Sequence, residues 1–154
     1  MKEKEILRSS SLIFYLLLSG QIFFMVFALI FVENNSYKAD NNFTFLLTIS
    51  FLIILAPMLV IGPIIYRKII SNKSNNLESI EEKLFIYRKG MIIKLAMIES
   101  LSLFSTTIFI ISGSYLFVVI NIFLIVLFYL HKPSLEKFAS DFNLSISDIE
   151  KYFR

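Results

Sequence analysis

Four long apolar runs constrain this chain more than any other feature. They lie at approximately Leu12–Val32, Phe43–Tyr66, Met91–Ser112 and Tyr115–His131. About 20 helical residues cross a hydrocarbon layer about 30 Å thick. The last run is the shortest, and its start can be set back into the Ser112-Gly113-Ser114 turn. None of the runs alternates polar with apolar residues, so no β-barrel pattern competes. Backbone groups in lipid must bond within their own segment, which makes helices of the runs. The predicted fold class is all-α integral membrane, with four transmembrane helices.

Composition agrees with this reading. Of 154 residues, 56% are hydrophobic, and 17 are Phe. A soluble domain of this size has too little interior to cover that much apolar surface. There is no cysteine, which excludes disulfides, zinc–thiolate sites and thiol nucleophiles. The formal charge of +3 is a weak argument for nucleic acid, and membrane topology accounts better for the basic residues. The charged start Met1–Arg8 followed by an apolar run looks like a signal peptide. However, Leu12–Val32 is longer than a signal core and is followed by the polar Glu33-Asn34-Asn35-Ser36 with no small-residue cleavage site. It reads as a retained span.

Lys and Arg set the orientation. Lys2, Lys4 and Arg8 precede the first run. Arg67, Lys68, Lys73, Lys83, Arg88 and Lys89 lie between the second and third, and Lys132, Lys137, Lys151 and Arg154 follow the fourth. The Glu33–Asn42 loop carries only Lys38, and the Gly113 turn carries no basic residue. With four spans, every basic segment falls on one side, predicting cytoplasmic N- and C-termini in the inner (cytoplasmic) membrane.

Residues 1–132 form the predicted membrane domain and 133–154 a short amphipathic cytoplasmic tail. Ser71–Asn76 is a polar break. After it, Leu77, Ile80, Leu84 and Tyr87 recur at helical spacing among Glu78, Glu81, Glu82 and Lys83, predicting one rod from about Leu77 to Ser112 that begins in the cytoplasm. In the tail, Pro133-Ser134 starts one short helix, with Leu135, Phe138 and Phe142 on one face. Ser147 and Glu150 form a capping-box pattern for another, with Ile149 and Phe153 apolar. Such a tail either docks a partner or lies on the membrane surface.

Glu99 is the one acidic residue inside the four runs. At helical rise it sits roughly 12 Å beyond Met91. A charged carboxylate at such depth costs at least about 2.5 kcal/mol, so the group must be neutral, paired or wet. Ala96, Ser102 and Thr106 lie within about 60° of it around the helix, a polar, small-residue face suited to close helix packing. Gln21, beside Gly20 in the first run, is the preferred hydrogen-bond partner, and Tyr15 is the second. Two roles remain open for the candidate set Glu99, Gln21, Tyr15, Ser102 and Thr106: proton or ion handling, or a structural stitch between helices. Lys94 reads as snorkelling outward. Pro57 and Gly62-Pro63 punctuate the second span and can loosen it. Asn121 defaults to packing, His131 to a helix end, and Ser9-Ser10-Ser11 to a helix start. No Gly-rich phosphate loop, metal-ligand spacing or nucleophile–base pair is present, so no enzyme activity and no cofactor are expected.

The stretch Leu95-Ala96-Met97-Ile98-Glu99-Ser100-Leu101-Ser102-Leu103-Phe104 resembles the carboxylate-bearing helix of rotary ATPase proteolipid (c) subunits. The second and third runs, joined through Arg67-Lys68, are similar to the hairpin of that family. The resemblance implies that Glu99 binds a proton or sodium ion. The chain departs from the family in its bulky Phe-rich helices, its longer cytoplasmic connection and its flanking spans. The layout Lys83-Leu84-x-x-Tyr87 … Ala96-x-x-Glu99 … Lys132-Pro133-Ser134 also resembles small four-span proteins of Bacteroidetes-type genomes. The expected function is a non-enzymatic membrane subunit, acting as a homo-oligomer or with other membrane proteins. The alternative is a proton- or sodium-linked translocation component.

Overall fold

A computed structural model describes residues 2–35, 38–74, 79–145 and 149. Among these residues the chain is all-helical: α1 (Lys2–Asn35), α2 (Asn41–Ser74), α3 (Ile80–Ser112), α4 (Leu116–Leu130) and α5 (Leu135–Asp141). Three of these helices, α1, α2 and α3, are long and apolar enough to cross a membrane. α4 has only 15 residues, a rise of about 22 Å, and makes a fourth span only when taken together with α5, from which it is bent by 74°.

The first two helices are longer than their apolar runs. Each has 34 residues, about 51 Å at helical rise, because helical hydrogen bonding continues past the hydrocarbon boundary wherever no breaker intervenes. Ser9-Ser10-Ser11 therefore does not start a helix. It lies two turns inside α1, where the Ser10 hydroxyl donates back to the Ile6 carbonyl at 2.8 Å, a bond that lets serine sit within a helix. α2 runs unbroken through Pro57 and Pro63.

The other boundaries follow local chemistry. Asp40 leads into α2, accepting from the Asn42 amide at 3.3 Å through its side chain and from the Thr44 amide at 2.9 Å through its carbonyl. Ser79 caps α3 by accepting from the Glu82 amide at 3.2 Å. The predicted rod is thus continuous from Ile80, while Leu77 lies outside the described residues. Gly113 ends α3 at φ 64°, its amide donating to the Phe109 carbonyl at 2.8 Å. Glycine adopts this left-handed geometry without a Cβ penalty.

α3 is the centre of the bundle and packs on α1, α2 and α4. Half of its most apolar stretch is buried, against 17% in α1 and 11% in α2. Its buried face carries Ser102, Ser105, Thr106 and Ser112, small groups that let neighbouring backbones approach in an environment where lipid removes the usual hydrophobic drive. The Ser105 hydroxyl, for instance, donates to the Phe117 carbonyl of α4 at 2.9 Å. The outer faces of α1, α2 and α4 expose large apolar residues such as Phe23, Ile53 and Val119, which suits a hydrocarbon solvent.

Two apolar clusters run along the bundle. One joins Phe14, Ile70, Leu84, Met91, Ile98 and Phe128; the other joins Ala28, Phe51, Leu101, Phe109, Phe117 and Leu124. These pairings make chain direction alternate from α1 to α4. The tail's apolar face is covered by the chain itself. Phe138, Phe142 and Ile149 are buried in the first cluster with Leu84 and Tyr87, and the Phe138 ring meets Tyr87 edge-on at 5.5 Å. Neither a partner nor the membrane surface is needed to cover that face. The capping box at Ser147 and Glu150 lies outside the described residues.

Candidate functional site

The polar interior of the bundle is built by α3 and α4. Ser102 Oγ donates to Asn121 Oδ1 at 2.6 Å. Asn121 Nδ2 donates to Thr106 Oγ1, and the Thr106 hydroxyl donates to the Ser102 carbonyl at 3.0 Å. All three side chains are buried. The set satisfies itself, as buried polar groups must to avoid a desolvation cost. Asn121, which by sequence alone reads as a packing residue, is its hub.

Glu99 does not belong to this network. Ser102 and Thr106 turn toward α4, whereas Glu99 lies at the edge of the buried face. Ser102, Thr106 and Leu95 lie on its inner side, and exposed Ala96, Ser100 and Thr107 on its outer side. It is half-buried and makes no hydrogen bond or ion pair among the described residues. The predicted amide-to-carboxyl bond with Gln21 is not formed. Gln21 is buried, and both Nε2 and Oε1 lack a partner among the described residues. Equal depth on two parallel helices does not ensure that two side chains rotate toward each other. Tyr15 is engaged elsewhere: the Lys132 ammonium sits 5.2 Å from its ring centroid, and hydrogen bonding to the Tyr15 phenol holds that lysine above its ordinary range.

Gln21 and Glu99 nonetheless share a structural level. The two apolar clusters part between Leu18 and Ala28 on α1 and between Ile98 and Leu101 on α3. Gln21 and Glu99 fall into those gaps, in a seam across the bundle.

Sequence reasoning missed a second polar constellation. A cavity of about 300 Å³ is lined by Tyr66, Tyr87, Lys94, His131, Lys137 and Asp141 among others. Four helices and the α4–α5 turn contribute to it. Gly90 permits close approach of α2 and α3 here, since a Cβ would lie 3.1 Å from the Tyr66 ring. Lys94 does not snorkel away from the protein but lies over that ring, 5.1 Å from its centroid. The Tyr66 hydroxyl donates to Asp141 Oδ2. Lys137 Nζ donates to the Leu130 and Lys132 carbonyls at 2.6 and 3.1 Å, a cation at the negative end of the α4 dipole. His131 Nδ1 is 2.7 Å from the Leu127 carbonyl. The signals were Lys94, a cation inside an apolar run, and His131 at a helix end, but nothing local connected them.

Comparison with family models, curated proteins and solved structures finds no match. The function must therefore be argued from the site.

Proposed function

We propose that this chain is a non-enzymatic, multi-pass subunit of a membrane complex in the inner (cytoplasmic) membrane, and that Glu99 faces a neighbouring chain. Four spans with cytoplasmic termini are part of this reading. It draws on the alternating chain direction, which gathers the first turns of α1, the last turns of α2, the first turns of α3 and the segment after α4 at one end. Most of the basic residues lie in these stretches.

The observation that carries the proposal is the unpartnered state of Glu99 at the open edge of α3. A carboxyl group without a partner in hydrocarbon costs several kcal/mol, on the order of 2–7 for a neutral polar group. A donor or acceptor from an adjacent helix removes that cost. The chain has no cysteine, which makes the test direct. A cysteine at Glu99 should cross-link to a neighbouring chain in native membranes. A cysteine at the lipid-exposed Val119 should not. Equal behaviour at the two positions would remove the proposal.

A proton- or sodium-linked role is the second reading. It is favoured by the same carboxyl group, which is titratable, half-buried and not locked by any bond among the described residues.

A further inference from the structure

The charged cavity at the basic end has an apolar neighbour. A groove of about 280 Å³ opens between α2 and α4 over α3, lined by Met58, Gly62, Pro63, Met97, Phe123 and Leu127 among others. Lys94 and His131 line both spaces. The groove lies on the seam between the two apolar clusters, which on α2 part between Leu59 and Tyr66. Gly62 keeps it open. A Cβ there would meet only Met97, at 3.5 Å to Sδ, so a longer side chain would project into the space.

The lining of the groove limits the occupant. Met58, Pro63, Met97, Phe123 and Leu127 present apolar groups, against which an acyl chain can lie lengthwise from the surrounding hydrocarbon. The charges limit it further. Lys94 and Lys137 provide two ammonium groups against the single carboxylate of Asp141, and Asp141 Oδ2 already accepts from the Tyr66 hydroxyl. A soluble anion would have no use for the groove, and an uncharged lipid would have none for the lysines. Basic pockets between membrane helices generally take anionic headgroups.

We propose that the two adjoining spaces form a binding site for an anionic glycerophospholipid with a hydroxylated headgroup. The phosphodiester lies against Lys94 and Lys137, a headgroup hydroxyl donates to Asp141, and one acyl chain occupies the groove between α2 and α4. The lipid then closes the side of the bundle where α2 and α4 leave α3 uncovered.

The test uses the full chain purified in detergent. Phosphatidylglycerol, phosphatidylethanolamine and phosphatidylcholine are offered separately, and retention is read by native mass spectrometry. Phosphatidylglycerol should be retained in preference to both others. Lys94→Gln and Lys137→Gln should each weaken its retention about fivefold, the equivalent of about 1 kcal/mol per lysine. Gly62→Leu should abolish retention while circular dichroism shows the helices intact. Glycerol phosphate, which has the head but no chain, should not displace the lipid. Equal retention of the three lipids, unchanged retention in both lysine variants or in Gly62→Leu, or displacement by glycerol phosphate would each overturn the proposal.

Discussion

Ser102 of α3 donates a 2.6 Å hydrogen bond to Asn121 of α4, with both side chains buried among apolar neighbours. The bond joins the central helix to the shortest of the long helices, and Thr106 completes it by receiving the Asn121 amide. α4 has only 15 residues, and this polar fastening acts beside the buried Phe117, Leu124 and Phe128 in holding it against α3.

Removing the fastening should loosen α4. Ser102→Ala and Asn121→Ala should each lower stability by about 0.6 kcal/mol, the average for interhelical hydrogen bonds in membranes, and by no more than about 1.7 kcal/mol through this bond. The double variant should cost less than the sum of the singles. Reversible unfolding in mixed micelles reads the coupling. Additive losses would show that the bond contributes nothing of its own.

Glu99 should discriminate between assembly and ion handling. In a subunit held through this carboxyl, Glu99→Gln keeps the hydrogen-bonding capacity and the native complex, while Glu99→Leu leaves the neighbour's groups unsatisfied and lowers complex yield. In an ion-linked component, Glu99→Gln keeps the assembly and abolishes transport, because an amide does not titrate in this range. Co-purification from native membranes, scored beside proton flux in vesicles, separates the two.

Membrane orientation should be readable by labelling. Cysteines at Ser36 and Ser74 should react with an impermeant maleimide from opposite sides, Ser36 from the outside, as the distribution of Lys and Arg requires. Labelling of both from one side would eliminate an odd number of crossings between them.

The tail should depend on Phe138. This ring is fully buried beside Tyr87, Leu84 and Phe142. It lies beyond the fourth apolar run and packs on the first turns of α3. Phe138→Ala should cost about 3–5 kcal/mol locally. Limited proteolysis should then cut within residues 133–154 at a low protease level that leaves the wild-type tail intact.

Some features were legible in the sequence because they are decided within a few residues. Apolar length and the absence of alternation specify helices for α1 to α4. The spacing of Ile80, Leu84 and Tyr87 carries α3 beyond its apolar run, and Ser134 followed by Leu135 and Phe138 marks α5 and its apolar face. The helical extents of α1 and the position of Ser9-Ser10-Ser11 inside it were misread. A serine cluster favours a helix start only when the preceding residues are not themselves helical, and Lys2–Arg8 are helical.

The sequence by itself determined that the long apolar runs are helices and that Glu99 falls inside the third of them. Tertiary structure alone decided which side chains meet. Ser102 and Thr106 share a helical face with Glu99, yet the rotation of α3 turns them to Asn121 and leaves the carboxyl at the rim. Gln21 has the right depth for Glu99, but depth does not set azimuth. Tyr66 comes from α2, Lys94 from α3, His131 from the end of α4, and Lys137 and Asp141 from α5, and they converge only because α2 and α4 both pack on α3 and α5 folds back onto its first turns. Helical periodicity is a local property of the chain. The pairing of helix faces is settled by packing among all of them at once.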